Sequence, residues 1–221
     1  MPTLRTLSDS ATLVQFGDEL DLAVNRRVHA LATLLALHPL AGVTETVPAY
    51  ASLTVHYDPL ILSHNQVSEW VGIHIDSAEV HALQSPRRIE VPVRYGSEYG
   101  PDLDFVATHC HLGIADVIRL HSAQTYTVFM MGFTPGFPYM GKLDDALITP
   151  RLETPRSLVR AGTVAIAGAQ TGIYPIDSPG GWRLIGFTPL TLFNSISESP
   201  FLFAPNDKVR FVPTAEDFDV T

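Results

Sequence analysis

The sequence predicts an α+β protein: a small α/β domain followed by a β-rich one. Three observations carry this. The first 95 or so residues alternate between strand-like and helix-like periodicity. From Tyr126 to Pro189, Gly and Pro recur every few residues between short apolar runs, a density that helices do not tolerate and that tight turns between short strands require. Finally, 46% of the 221 residues are hydrophobic and 17% charged, enough apolar side chain for sizeable cores.

Ala11 to Phe16 alternates as a strand and ends at Gly17. Asp18 to His38 places Val24, Val28, Leu31 and Leu35 on one helical face, and Pro39 stops it. Val43 to Val47 and Ser52 to Tyr57 form two strands joined around Pro48 to Ala51. Ser63 is the expected N-cap of a second helix reaching about Leu83, with Val67, Trp70 and Ile73 as its stripe. Ile89 to Tyr95 is extended again, although Pro92 suits an edge or a strand end. Strand, helix, strand, strand, helix, strand is the split βαβ order of a ferredoxin-like domain. Its boundary is expected near Ser85 to Arg88, giving domains 1–87 and 88–221, and the strand from Ile89 either closes this small sheet or opens the following domain. Two short helices, Asp102 to Cys110 and Ile114 to His121, precede the glycine-rich stretch, and strands continue through Leu190 to Phe193 and Val209 to Val212. Many short strands with regular turns imply a closed or sandwiched β architecture.

Lys+Arg 14 against Asp+Glu 23 gives a net charge of −9, which argues against nucleic acid as a partner. A single cysteine, Cys110, excludes an intramolecular disulfide and a Cys-rich metal cluster. No basic-then-apolar leader opens the chain and no apolar run approaches the ~20 residues of a membrane span, so a cytoplasmic location away from membranes is expected.

Gly136 to Lys142 matches the first seven positions of a phosphate-binding P-loop, but Leu143 stands where the magnesium-binding hydroxyl belongs and Pro138 removes a cradle amide. His109-Cys110-His111 looks like a metal fragment, yet residues two apart on a helix face different ways, and no metal is expected. His121, closing the second short helix, is either an acid-base imidazole over a pocket or a helix C-cap. Arg151, Arg156 and Arg160 sit in the loop-like segment TPRLETPRSLVR and are either a solvated loop or a guanidinium cluster suited to a carboxylate or phosphoryl group. Gln170, Thr171 and Tyr174 offer amide, hydroxyl and phenol groups on a glycine-bearing turn. Phe137, Tyr139 and Trp182 are the aromatic residues placed to line a pocket or to plug a barrel end. A nucleophile elbow, a zinc-protease helix and a dinucleotide fingerprint are all missing from the sequence.

The blocks Gly132-Phe133-Thr134-Pro135-Gly136-Phe137-Pro138-Tyr139, Val159-Arg160-Ala161-Gly162-Thr163-Val164-Ala165-Ile166-Ala167-Gly168, Gln170-Thr171-Gly172-Ile173-Tyr174-Pro175 and Ser178-Pro179-Gly180-Gly181-Trp182 resemble, in this order, the B subunit of bacterial 5-oxoprolinase. That family is also called allophanate hydrolase subunit 1 and is related to the histidine-kinase inhibitor KipI. The resemblance implies a cyclophilin-like β-barrel as the second domain. It also implies C and A subunits as partners, with which the complex opens 5-oxoproline to glutamate using ATP with Mg2+. On this resemblance Arg156, Arg160, Gln170 and Tyr174 grip the lactam carboxylate or a phosphoryl group, Thr171, Phe137, Tyr139 and Trp182 complete the substrate site, and His121 transfers protons. The runner-up functions are inhibition of a sensor histidine kinase and a part in a urea or allophanate amide hydrolase.

Overall fold

The structure, a computed structural model, describes residues 2–78, 86–216 and 218. The chain divides into two compact units, Met1–Ser85 and Pro86–Thr221.

The first unit contains β1 (Thr3–Ser8), β2 (Ala11–Gln15), α1 (Leu22–Leu37), β3 (Val43–Pro48), β4 (Ser52–Tyr57) and α2 (His64–Ala78). Its sheet has the order β1-β2-β4-β3 and is antiparallel throughout. Helix α1 starts later than the periodicity suggests because the Asp21 carboxylate accepts from the Val24 amide at 2.8 Å and fixes the first turn there. Ser63 and Gln66 bond reciprocally, a capping box at the head of α2. Val28, Leu31, Leu34 and Leu35 of α1 and Val67 and Val71 of α2 pack on Val14, Leu53 and Val55 of the sheet. The part of the second helix expected beyond Ala78, to about Leu83, lies outside the described residues.

The strand-helix-strand-strand-helix order is present, and of the two places open to the strand that follows, Arg88–Tyr95 takes the one in the second unit, pairing with Lys208–Pro213. The place beside β2 is taken by β1, a strand the sequence reading missed. The segment Thr3–Ser8 is exposed along almost its whole length, so it has no buried face to create an apolar alternation.

The second unit runs β5 (Arg88–Tyr95), α3 (Leu103–His109), α4 (Ile114–Ala123), β6 (Tyr126–Met131), β7 (Pro138–Gly141), β8 (Arg156–Val159), β9 (Thr163–Ala167), β10 (Gln170–Ile173), β11 (Ser178–Gly180), β12 (Arg183–Phe187) and β13 (Lys208–Pro213). Seven strands close a mixed barrel in the order β10-β7-β6-β13-β5-β12-β9, while β11 and β8 pair as a separate ribbon. The parallel pairing of β13 with β5 runs from Lys208 opposite Arg88 to Pro213 opposite Val93. Pro92 is tolerated because β5 pairs with β12 only at Arg94 and Tyr95, beyond the missing amide.

Two expectations need correction here. The TPRLETPRSLVR segment is not all loop, since its last four positions before Arg160 form β8. Leu190 to Phe193 is not a strand: only an isolated bridge joins Phe193 to Phe201, because Pro189, Pro200 and the exposed residues between Asn194 and Ser199 offer no ladder. No helix among the described residues is long and apolar enough to cross a membrane.

All five residues of β9 are buried. Val164 and Ile166 join the large core with Val91, Val128, Met140 and Phe211, against which Val106 of α3 and Val117 of α4 also pack. Ala165 and Ala167 face the other way, into a second cluster with Phe137, Val159, Tyr174, Trp182 and Leu184. Small alanines on that face leave room for large rings, and this is where the candidate site forms.

Candidate functional site

The turn between β6 and β7 begins the site. The Phe137 amide donates to the Thr134 carbonyl at 3.1 Å, and both Phe133 (φ 65) and Gly136 (φ 86) take left-handed backbone conformations. Gly136 meets that demand without steric cost, and a Cβ there would fall 2.9 Å from the Phe193 Cβ. The turn stands Phe133 and Phe137 edge to face, 5.6 Å apart, with Phe133 60% exposed and Phe137 buried. Tyr174 and Trp182 each present an edge-to-face contact to Phe137, at 5.3 and 5.5 Å, and Tyr139 packs against it at 4.8 Å.

Gly180 in β11 is as necessary as the rings. A Cβ at that position would lie 2.2 Å from the Tyr174 hydroxyl oxygen and 2.6 Å from its Cζ, so only glycine lets the ribbon close over the tyrosine.

Together these residues line a cavity of about 300 Å³. Its walls are Phe133, Phe137, Tyr139, Tyr174 and Trp182, with Pro155, Pro179 and Leu152 around them, and its one charged lining group is Arg151. The Arg151 guanidinium carbon lies 5.9 Å from the centre of the Trp182 ring. Burial raises the pKa of both Tyr139 and Tyr174, against the smaller opposing influence of Arg151. Each hydroxyl is therefore protonated at neutral pH. A flat-walled, mostly apolar cavity with a cation and phenols at its border suits a small ring compound bearing a negative group.

Arg156 stands behind this wall and not in it. Its Nη2 donates to Asp102 Oδ1 at 2.7 Å, Asp102 Oδ2 accepts the Leu184 amide at 2.7 Å, and Nη1 reaches the Trp182 carbonyl at 3.4 Å. The pair ties β8 to β12 and braces the backbone of Trp182. Asp102 lies 54 residues away in sequence, and no local signal announces it. Arg160 is exposed and Gln170 half-buried at the β9–β10 hairpin, and neither lines the cavity.

His121 and Thr171 meet in the interior. Thr171 gives its hydroxyl proton to the Ala165 carbonyl at 3.1 Å, so toward His121 Nε2, 2.9 Å away, it acts as acceptor. Nε2 therefore carries the proton, and Nδ1 accepts from the Tyr95 hydroxyl at 2.7 Å. The ring is fully buried, stacks on Phe211 at 4.5 Å, and burial lowers its pKa to about 3. Burial likewise pushes the Tyr95 phenol well up. His121 is a neutral, doubly bonded imidazole that does not line the aromatic cavity.

The P-loop look-alike is a strand, Pro138–Gly141, followed by a single short turn of helix and no phosphate cradle. His109 ends α3 and His111 takes a left-handed conformation beyond it. Among the described residues no group of three or more His, Cys, Asp or Glu is placed to hold a metal ion.

A family model described as carboxyltransferase domain, subdomain C and D, matches residues 2–203. The B subunit of 5-oxoprolinase from Bacillus subtilis (strain 168) is 40% identical over 96% of this chain and 93% of its own. The chain belongs to the family of 5-oxoprolinase B subunits. A crystal structure of TTHA0988 superposes with a TM-score of 0.83 and 37% identity, covering 98% of this chain. Our chain spans 41% of that longer protein. A more distant relative of this family member is the urea amidolyase of Lachancea kluyveri, 25% identical over 97% of this chain but only 13% of the larger protein.

Proposed function

We propose that this chain is a non-autonomous subunit of an ATP-dependent 5-oxoprolinase, which together with C and A subunits opens 5-oxo-L-proline to L-glutamate. The observation that carries the proposal is the similarity to the B subunit of 5-oxoprolinase along nearly the full length of both chains. On this reading the barrel is cyclophilin-like, and the first unit is a ferredoxin-like variant whose outer strand comes from the N-terminal side.

Opening the lactam breaks its C–N bond, adds the oxygen of water to the carbonyl carbon and leaves the nitrogen as an amine. The amide is resonance-stabilised, which is why the complex couples the step to ATP. The described residues of this chain do not fit ATP with Mg2+: the glycine segment is a strand, the cavity is apolar with one guanidinium, and no acidic cluster faces it. We assign the nucleotide to another subunit. This chain contributes an aromatic cavity that holds the ring, through Phe137, Tyr139, Tyr174 and Trp182, while Arg156 holds the wall in place. Thr171 and His121 support the barrel behind it, and Arg160 and Gln170 lie outside it.

The test is reconstitution with the A and C subunits, with ATP hydrolysis and glutamate formation measured with and without 5-oxoproline. Glutamate that forms only with all three subunits, and falls at least about tenfold for Trp182→Ala, is the expected result. An assembled complex that leaves both ATP and 5-oxoproline untouched refutes the substrate.

A further inference from the structure

We infer that the aromatic cavity is a receptor for a small flat-ring carboxylate, with the Arg151 guanidinium pairing the carboxylate and the aromatic wall of Phe133, Tyr139 and Trp182 packing against the ligand's ring. This deepens the oxoprolinase reading and rests on it for the identity of the natural ligand, but the chemistry comes from the cavity itself.

Several arginines of this chain are held in ion pairs. Arg156 is paired with Asp102, Arg87 with Asp207, and Arg119 with Asp116. Arg151 is the arginine that lines this cavity: among the described residues it has no carboxylate partner, its guanidinium lies over the Trp182 ring, and its charge acts on Tyr139 and Tyr174. Even Glu153, two residues along, forms no ion pair with it. Arg151 is exposed at the rim of the cavity, so an incoming carboxylate reaches its guanidinium without displacing an internal partner and can take two parallel N–H···O bonds from it. Trp182 stacks with the cation on one side and contributes a cavity wall, so the same ring orients both the guanidinium and a ligand.

The walls restrict what can bring that carboxylate. Phe137, Tyr139, Tyr174 and Trp182 enclose about 300 Å³, room for a five- or six-membered ring and its substituents. Gly180 admits no side chain, so the volume is not open to adjustment there. The tyrosine hydroxyls at the border stay protonated, so they add no negative charge to repel a carboxylate. A neutral lactam lacks the group that Arg151 needs, and an extended aliphatic acid lacks the face that the rings need.

The experiment titrates the full chain with 5-oxo-L-proline, with 2-furoate as an unrelated flat-ring acid, and with neutral 2-pyrrolidone. Binding is followed by Trp182 fluorescence in a Trp70→Phe background and by calorimetry on the unsubstituted chain, which has these two tryptophans only. Both acids are expected to bind, with 2-pyrrolidone weaker by about tenfold or more, the scale of one partly exposed charge-assisted contact. Arg151→Ala is expected to erase the preference for the acids, and Arg151→Lys to restore part of it. Equal binding of lactam and acid, affinity unchanged in Arg151→Ala, or no binding of any of the three overturns the site. Arg151-dependent binding of 2-furoate without binding of 5-oxoproline upholds the site and removes the oxoprolinase substrate from it.

Discussion

Acidification should unlock the barrel through His121. In the fold the imidazole is neutral, with its pKa held at about 3 by burial, whereas an unfolded histidine titrates near 6.5. Between those values the unfolded chain binds one more proton than the folded one, so its contribution to stability is complete above about pH 6.5 and is lost as pH falls toward 3. Each unit of pH is worth about 1.4 kcal/mol, so the loss at pH 4.5 is on the order of 3 kcal/mol, a large part of a typical domain's stability. The comparison is His121→Gln, whose amide keeps an N–H for Thr171 and a carbonyl for Tyr95 but takes up no proton. Urea unfolding of both proteins from pH 7 to pH 4.5, followed by Trp182 emission in the Trp70→Phe background, should show the wild type losing that amount more than the variant. Parallel pH profiles would refute the reasoning. They would mean that the ring already reaches water or a proton donor, and would return His121 to consideration as an acid-base group.

Asp102→Ala leaves the Leu184 amide and the Arg156 guanidinium without their acceptor, and should cost about 2–3 kcal/mol with a shift in Trp182 emission. A loss under about 0.5 kcal/mol in denaturant unfolding would show that the pair braces nothing. Gly180→Ala drives a methyl into Tyr174 and should cost about 1–3 kcal/mol by thermal unfolding. Adding Tyr174→Phe should recover only part of this, because the ring carbon is also too close. Thr171→Val removes the acceptor for His121 Nε2–H and should destabilise by about 1–3 kcal/mol, with no change expected in ligand binding at the aromatic cavity.

Where the sequence was readable, a local rule governed the outcome. The first helix of the first unit follows from its apolar stripe and cap, whereas in the second the stripe holds only in part, since Val71 is in the core and Ile73 is exposed. The aromatic turns follow from glycines whose placement has a steric reason. Strand β1 escaped because an edge strand exposed on both faces has no hydrophobic signature. Its neighbour in the expected topology, β5, reads as a strand from either domain, since a Val-rich run says nothing about which sheet it will enter. The same limit applies to side chains. Arg156 looks like a ligand group until Asp102 is found across the fold, and the pairing of His121 with Tyr95 and Thr171 joins three segments with no common pattern. Arg151 and Arg156 are five residues apart in one sequence cluster, and only their partners distinguish a brace from a free cation.

The parallel pairing of β13 with β5 has a consequence for synthesis. The first strand of the barrel waits for the last, more than a hundred residues later, and every strand made in between stays in an open sheet. A ribosome releasing this unit exposes two raw strand edges until Lys208–Pro213 emerges, and such edges recruit other chains. Closure is therefore a late event of high contact order, and a premature stop before Lys208 yields an aggregation-prone sheet in place of a slightly shorter barrel.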